Sequence, residues 1–110
     1  MSDFQPFSIM RLKEFEIPLG EGFYIAVEIE SLAGQITTFV VRLMKAADPD
    51  VNIARYDTAH HLPHRDVLGR RKGLLRKDWL ADMSLKDALQ FAINDLRLHY
   101  ERYDQVYENN

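Results

Sequence analysis

The chain has 110 residues, of which 46% are hydrophobic and 28% are charged, and its formal net charge is −3. This length and composition predict one globular domain, residues 1–110, built around a single core. Cysteine is absent, which excludes a disulfide scaffold, a thiolate metal site and a cysteine nucleophile, and no apolar run is long enough for a transmembrane helix.

Strand patterns fill the first half of the chain. Residues 23–30 alternate between apolar and mainly polar side chains, which is the period of a half-buried strand. Residues 35–45 alternate in the same way, and the short segment 31–34 between them predicts a turn, so the two strands form a hairpin. Weaker strands are predicted over residues 9–17 and 51–57. The apolar faces of the hairpin are predicted to carry Phe23, Ile25, Val27 and Ile29 in one strand and Thr37, Phe39, Val41 and Leu43 in the other.

The segment that follows is less regular and strongly basic. Residues 60–63 are predicted to form a loop, and residues 64–68 and 74–77 a hairpin. The tip of that hairpin, residues 69–73, is framed by two glycines. Residues 55–77 hold seven Lys/Arg and two Asp, whereas the segments on either side are both acidic. A basic band on an acidic body fits a confined site for an anionic ligand, and a solvated charged hairpin is the alternative.

One long helix is predicted at the end of the chain. Ser84 is a suitable N-cap, with Asp87 three residues later. An apolar stripe at helical spacing then runs from about Leu85 to Tyr107. Packing this stripe on one face of an antiparallel sheet of four to six strands gives a two-layer α+β domain.

Two apolar residues of the helix, Phe91 and Leu98, point almost opposite to the stripe and lie seven residues apart. They are candidates for contact with a partner subunit, or for packing beneath Phe4 and Phe7. Two singly exposed apolar side chains also need no explanation.

Three of the four histidines, His60, His61 and His64, lie within five residues, next to the charged pair Arg55 and Asp57. A strand over residues 51–57 would place that pair on the same side as Ile53, toward the core or a cleft at its edge. Charges in such a place are paired or functional. The structural alternative is a salt bridge that ties the strand end to the loop.

The first chemistry these residues could perform is metal-independent RNA cleavage. Histidine both donates and accepts protons near neutral pH, so His60, His61 and His64 are the candidate acid and base. Arg55 and Arg65 would hold the phosphate, while Asp57 or Asp66 orients a histidine. The remaining candidates contact substrate: Arg70, Arg71, Lys72, Arg76 and Lys77 along the RNA backbone, and Tyr56 by stacking on a base.

Two other interpretations of this segment remain open. His60 or His61 could join His64 and an aspartate around a divalent metal, although Pro63 disfavours the helix that this spacing suits. The basic hairpin could instead bind an acidic partner without catalysis. Outside the segment, His99 and Trp79 are interpreted as packing residues.

The run from Arg55 to His61, followed by His64, resembles the signature stretch of TumE-type proteins, small prokaryotic proteins classed as toxins of toxin–antitoxin pairs. In that family an Arg-x-Asp pair leads into Ala-His or Pro-His-His and then further histidines. The resemblance covers only this short stretch and implies RNA cleavage and control by a partner antitoxin. The matched positions are Arg55, Asp57, His60, His61 and His64. The family tends to carry a later His-x-His, whereas here His64-Arg65 is followed by Asp66. The alternative is that the chain belongs to an uncharacterised sister family that has the scaffold and a different task.

Together these patterns predict a small prokaryotic protein that cleaves RNA without a cofactor and is controlled by a cognate antitoxin-like protein. The first six residues do not have the pattern of a signal peptide, so a cytoplasmic location away from membranes is expected. The alternative is a non-catalytic interaction module, such as an antitoxin, immunity or regulatory protein, that binds a partner or forms a homodimer. Catalysis requires Arg55, Asp57 and the histidines to meet in one open cleft, whereas the alternative predicts paired charges and separated histidines.

Overall fold

The structure is a computed structural model that describes residues 10–110. Six strands form one antiparallel sheet in chain order, each paired with the strand before it, and one helix follows. The predicted α+β architecture is confirmed. The elements are β1 (Met10–Pro18), β2 (Phe23–Leu32), β3 (Gln35–Lys45), β4 (Ala54–Ala59), β5 (Leu62–Gly69), β6 (Gly73–Trp79) and α1 (Leu85–Asn109).

Helix α1 covers one face of the sheet, which we call the helix side, and the core lies between them. The predicted inward faces of the β2–β3 hairpin are correct, since its alternate apolar residues are buried against the helix. The small side chains of Ala88 and Ala92 are fully buried there and let the helix lie close to the sheet. The largest fully buried side chains outside the helix are Tyr56, Phe39, Ile25, Leu43 and Ile53.

The helix begins as predicted but does not stay regular. The Ser84 hydroxyl accepts a hydrogen bond from the Asp87 N–H at 3.1 Å, which satisfies one of the free donors of the first turn. Near the middle, His99 leaves helical geometry, with φ −124° and ψ 20°. No helix among residues 10–110 is long and apolar enough to cross a membrane.

The end of the helix is fastened to the β5–β6 turn. The backbone N–H of Arg70 donates to the Tyr107 carbonyl at 2.9 Å, and those of Arg71 and Lys72 donate to the Asn110 carbonyl. These bonds satisfy carbonyl groups that have no partner within the helix. The predicted basic tip is therefore part of the helix cap.

Two predictions about β4 and β5 were wrong. Strand β4 begins at Ala54 and not at residue 51, and residues 60–63 are not a loop. Ala59 pairs directly with Leu62, which leaves only His60 and His61 in the turn. Both have positive φ, 52° and 66°, as a type I′ hairpin turn requires. The Asn-Gly sequence that usually marks such a turn is missing, so composition did not reveal it.

The first nine residues lie outside the described part of the chain. The predicted strand over residues 9–17 corresponds to β1 from Met10 onward. The suggested packing of Phe4 and Phe7 under the helix falls among the residues that the structure does not describe.

Candidate functional site

The candidate site lies on the open face, the sheet face opposite α1. On β4, Ala54 and Tyr56 point to the helix side and are fully buried, so Arg55 and Asp57 point the other way. The expectation that this pair shares the core side with Ile53 was wrong. Ile53 precedes the strand, and alternation within β4 gives the core positions to Ala54 and Tyr56.

Strand register gathers six side chains into one group. Arg55 lies opposite Asp66 of β5, which lies opposite Lys77 of β6. One row further along, Asp57 lies opposite His64, which lies opposite Trp79. Directly opposed side chains in antiparallel strands are about 5 Å apart. We call these residues the open-face cluster: Arg55, Asp57, His64, Asp66, Lys77 and Trp79.

The cluster is held together through Asp66. Its carboxylate accepts a hydrogen bond from Arg55 Nη2 at 2.8 Å and lies 3.1 Å from Lys77 Nζ. His64 Nε2 is 3.7 Å from the same carboxylate, and Arg55 Nε is 4.0 Å from Asp57. Burial alone would raise the pKa of Asp66, but the hydrogen bond from Arg55 and the adjacent Lys77 ammonium group lower it below its usual range. Asp66 is therefore a fixed negative charge at neutral pH.

Two members of the cluster are buried although no helix of residues 10–110 covers this face. Asp66 is 1% exposed and His64 is 3% exposed. The Trp79 ring lies against His64, with 5.0 Å between ring centroids, and Lys77 Nζ lies 5.6 Å from the Trp79 centroid. Trp79, itself 51% exposed, thus forms the outer wall over the imidazole. The interpretation of Trp79 as a packing residue misses this position between a histidine and solvent.

Buried polar atoms in the cluster lack full hydrogen bonding. Within residues 10–110, the buried side-chain nitrogen and oxygen atoms without a hydrogen-bond partner are Arg55 Nε, His64 Nδ1 and Asp66 Oδ1. Lys77 compensates the charge at Asp66 Oδ1, but nothing described contacts the other two within hydrogen-bond geometry. Such atoms are few in folded proteins and often mark sites where a water or ligand binds.

The other two histidines do not join the cluster. His60 and His61 are exposed in the β4–β5 turn, and His64 lies three residues along β5, about 10 Å away. Within residues 10–110, no three His, Asp or Glu side chains are close enough to hold a metal ion together. Of the five candidate catalytic residues, the structure brings together Arg55, Asp57 and His64.

Most of the predicted basic band is occupied by internal contacts. Arg70 forms ion pairs with Glu108 and Asp48, and the Arg71 guanidinium donates to the Asn109 carbonyl. Near the tip, Arg76 forms an ion pair with Asp78 on the helix side, whereas Lys72 is exposed. Only Lys77 lies in the cluster. A continuous track for an RNA backbone along Arg70, Arg71, Lys72, Arg76 and Lys77 is therefore absent from the described structure.

Tyr56 and Arg65 lie on the helix side, away from the cluster. Tyr56 is fully buried and its hydroxyl donates to Asp95 at 2.6 Å, so the expected stacking on an RNA base was wrong. Arg65 donates twice to Asp78, at 3.0 and 2.8 Å, and once to Tyr103. Arg65 lies opposite Tyr56 and shares its face, whereas Arg55 lies opposite Asp66 on the open face. The two arginines therefore cannot hold the same phosphate.

The two outward apolar residues of α1 are exposed, Phe91 at 40% and Leu98 at 74%. The Phe91 ring also contacts Tyr56 edge to face, with 6.1 Å between centroids. Phe91 thus has a packing role within the domain, and a partner contact at these positions stays a prediction.

The importance of Asp66 and Trp79 was underestimated from the sequence. From the sequence, Asp66 is only an alternative to Asp57 for orienting a histidine. Because a loop is predicted over residues 60–63, Leu62 is not counted as the first residue of β5, and the alternation of that strand is missed. Had Leu62 begun the strand, positions 62, 64 and 66 would have shared a face with Arg55 and Asp57. The Lys-x-Trp spacing of residues 77 and 79 carries the same signal on β6.

Comparison with known proteins identifies a family without assigning a function. No curated protein and no solved structure matches the chain. One family model, described as "Domain of unknown function (DUF7718)", matches residues 10–110. This match spans all six strands and the helix, so the chain belongs to the DUF7718 family.

Proposed function

We propose that this protein cleaves RNA at the open-face cluster, as a toxin-like protein of the prokaryotic cytoplasm. The observation that carries the proposal is the meeting of Arg55 and Lys77 with Asp57 and His64 on an uncovered sheet face, where His64 Nδ1 is buried without a hydrogen-bond partner. Phosphate-binding cations and proton-transfer groups are thus adjacent. The resemblance of the Arg55–His64 stretch to TumE-type proteins supports the same substrate.

The chemistry of RNA suits such a site. RNA carries its own nucleophile, the 2′-hydroxyl group, so cleavage needs a base, an acid and cations that stabilise the phosphate. In the proposed reaction Asp57 takes the 2′ proton while the 2′-oxygen bonds to phosphorus. The bond to the 5′-oxygen breaks, and that oxygen takes a proton from protonated His64. The products are a 2′,3′-cyclic phosphate and a 5′-hydroxyl group.

Each remaining member of the cluster has a role in this reaction. Arg55 and Lys77 bind the phosphate, and Asp66 holds both cations and the imidazole in place. Trp79 must turn away from His64 to admit the substrate, and its exposed ring then stacks on a base. His60 and His61 stand at the end of the same hairpin, and a contribution from them stays a prediction.

The test is RNA cleavage by purified protein in EDTA, comparing wild type with Asp57→Asn. Asparagine keeps the acceptor for the Thr58 N–H but removes the base, so we expect a loss of about 100-fold or more. Asp82→Asn is the matched control, because Asp82 is exposed between β6 and α1. DNA of the same sequence should resist cleavage, because it lacks the 2′-hydroxyl group.

The results separate the assignments clearly. Cleavage by wild type that survives in Asp57→Asn but is lost in a folded His60→Ala or His61→Ala variant would move the chemistry to the turn. Cleavage only after addition of a divalent metal would make the histidines or aspartates ligands. If wild-type protein cleaves no RNA under any of these conditions, the proposal is wrong.

A second candidate function, protein binding, is favoured by where the apolar surface lies. Of the eight large hydrophobic side chains exposed within residues 10–110, strand alternation places five on the open face. Exposed apolar side chains gathered on one face mark interaction surfaces. The five are Met10, Leu12, Leu32, Leu62 and Trp79. In this proposal a cognate antitoxin-like protein covers the face.

The other protein that could cover the open face is a second copy of this chain. A measurement of self-association distinguishes a homodimer from a complex with an antitoxin-like protein. Trp79 is the only tryptophan, so its fluorescence reports directly on this face. A dimer should show a doubled mass by light scattering and a blue-shifted Trp79 emission that reverses on dilution. The double variant Leu12→Ser, Leu62→Ser should abolish both signals, whereas Leu98→Ser on the helix should not. A wild-type monomer at all concentrations would contradict the homodimer and leave the antitoxin-like protein as occupant.

A further inference from the structure

The helix side of the sheet contains a second polar site, separate from the open-face cluster. A pocket of about 320 Å³ lies between strands β5 and β6 and the second half of α1. Pockets for small ligands begin at about this volume. Its polar lining comes from Arg65, Arg76, Asp95, His99, Arg102 and Tyr103. Because Arg65 and Arg76 alternate with cluster residues along their strands, the two sites face opposite sides of the sheet.

The inner wall of the pocket is organised by Asp95. Its carboxylate accepts hydrogen bonds from Tyr56, Tyr103 and His99 and lies 3.5 Å from Arg65 Nη1. Burial alone would raise the pKa of Asp95, but the hydrogen bonds from Tyr103, Tyr56 and His99 lower it. Burial and the Asp95 contact raise the pKa of Tyr103 to about 12. The phenol therefore remains a neutral donor, and the acceptor capacity of Asp95 is used within the protein.

The departure from helical geometry occurs at the residue that faces this carboxylate. His99 Nδ1 lies 2.9 Å from Asp95 Oδ1 and 3.1 Å from the Asp95 carbonyl oxygen. Since both partners are acceptors, Nδ1 carries a proton and Nε2 is the nitrogen left for a ligand. The His99 side chain is about half exposed, so a ligand in the pocket can reach it.

The outer wall of the pocket has an excess of positive charge. Three arginines face two carboxylates, Asp95 and Asp78, and Arg65 is fully engaged with them. Arg76 shares Asp78 but is largely exposed. Arg102 is exposed and forms no ion pair among residues 10–110. Guanidinium groups bind phosphate oxygens through paired hydrogen bonds, so the exposed guanidinium groups of Arg76 and Arg102 can bind an anion at the rim of the pocket.

We propose that this pocket binds a phosphate-bearing small ligand of about the size of a nucleoside monophosphate. The phosphoryl group sits between Arg102 and Arg76, and His99 Nε2 accepts a hydrogen bond from a hydroxyl group of the ligand. Tyr103, fixed by its bond to Asp95, lines the inner part of the pocket beside Val67 and Val106, where the less polar part of the ligand fits. Asp95 acts as a positioning residue, because its oxygens are already occupied by Tyr56, Tyr103 and His99.

The test is calorimetric titration of the whole chain with inorganic phosphate, adenosine monophosphate and adenosine. We expect saturable binding of the monophosphate, weaker binding of phosphate and none of adenosine. Arg102→Gln should weaken binding of the monophosphate at least tenfold. Arg97→Gln is the matched control, because Arg97 is an exposed arginine on the same helix that does not line the pocket, and it should leave the affinity unchanged.

Amide NMR shifts locate the bound probe. Phosphate in the pocket should shift the signals of residues around His99 and Arg102 and leave the Trp79 indole N–H unchanged. Tighter binding of inorganic phosphate than of the monophosphate would assign the site to free phosphate and confirm only its anion chemistry. The proposal is overturned if no phosphate compound binds saturably, if Arg102→Gln binds as wild type does, or if the shifts centre on Trp79.

Discussion

A carboxylate organises a polar network on each side of the sheet, Asp66 of β5 on the open face and Asp95 of α1 on the helix side, and the two networks differ. On the helix side, Asp95 of α1 receives the phenols of Tyr56 and Tyr103 together with His99. On the open face, Asp66 receives Arg55 and Lys77, while atoms of Arg55 and His64 beside it stay without partners. A network whose buried polar atoms are all hydrogen-bonded stabilises the fold. A network with unpaired buried polar atoms is a place where a ligand or water can bind.

Acid should destabilise both networks together, and this is the largest effect we expect. Hydrogen bonds that outweigh burial lower the folded-state pKa of Asp66 and Asp95, and hydrogen bonds from Arg70 and Lys45 lower that of Glu108 to about 2. Such carboxylates stabilise the fold above their unfolded pKa of about 4 and lose this contribution as pH falls through the folded value. The urea midpoint should stay level from about pH 7 to 5 and fall steeply below about 4. A level midpoint at pH 3 would contradict these assignments.

Removal of the open-face carboxylate should be the most damaging single substitution. Asp66→Ala leaves Arg55 and Lys77 without their buried partner. Because both cations are partly exposed and water replaces part of the lost interaction, we expect a loss of about 3 kcal/mol of the free energy of unfolding. Urea denaturation measures this loss. Asp78→Asn is the control, because Asp78 is more exposed and a surface pair contributes about 1 kcal/mol or less. Equal losses in the two variants would show that the open-face cluster is not a buried network.

On the helix side, Tyr56→Phe should cost less, because Asp95 keeps its bonds from Tyr103 and His99. We expect a loss of about 2 kcal/mol for a buried hydrogen bond to a charged group. Tyr24→Phe should change the free energy of unfolding by under about 0.5 kcal/mol, since no hydrogen bond of the Tyr24 hydroxyl is present in the described structure. The same urea titration applies. A loss as large as that of Asp66→Ala would mean that the helix side depends on a single phenol.

The smallest expected effect is a gain in stability at the β4–β5 turn. His61 has a φ of 66°, which costs a residue with a side chain about 1 kcal/mol relative to glycine. His61→Gly should therefore raise the melting temperature slightly. Thr58→Gly, in a strand, should lower it. A more stable His61→Gly protein with unchanged RNA cleavage would show that this histidine is outside the reaction, whereas a loss of cleavage would give it a role.

The fold was predictable because its signals are local. Alternation in β2 and β3, the Ser84 cap and the apolar stripe of α1 each specify an element without tertiary information. The site was only partly predictable. Arg55, Asp57 and His64 were identified, but the face of Arg55 and Asp57 was assigned wrongly because Ile53 precedes β4 and does not share its alternation. The undetected turn at His60 and His61 hid the alternation of β5, and with it the positions of Arg65 and Asp66.

The pocket on the helix side had a signal that was not recognised. Asp95, His99 and Tyr103 follow one another at four-residue spacing, so they lie along one line of a helix. The partners from the sheet, Tyr56 and Arg65, could not be assigned to that line until the pairing of β4 with β5 was known. Contacts between a helix and distant strands depend on register, which sequence pattern alone leaves undetermined.

The order of elements along the chain also affects how the protein folds. Each strand pairs with the strand before it, so the sheet can grow hairpin by hairpin through contacts of short sequence separation, which favours rapid folding. The helix follows the sheet in the chain, and until it docks both faces of the sheet are bare. In that interval the apolar face that becomes the core is exposed to other molecules. Aggregation during synthesis or refolding should therefore depend on how fast α1 docks.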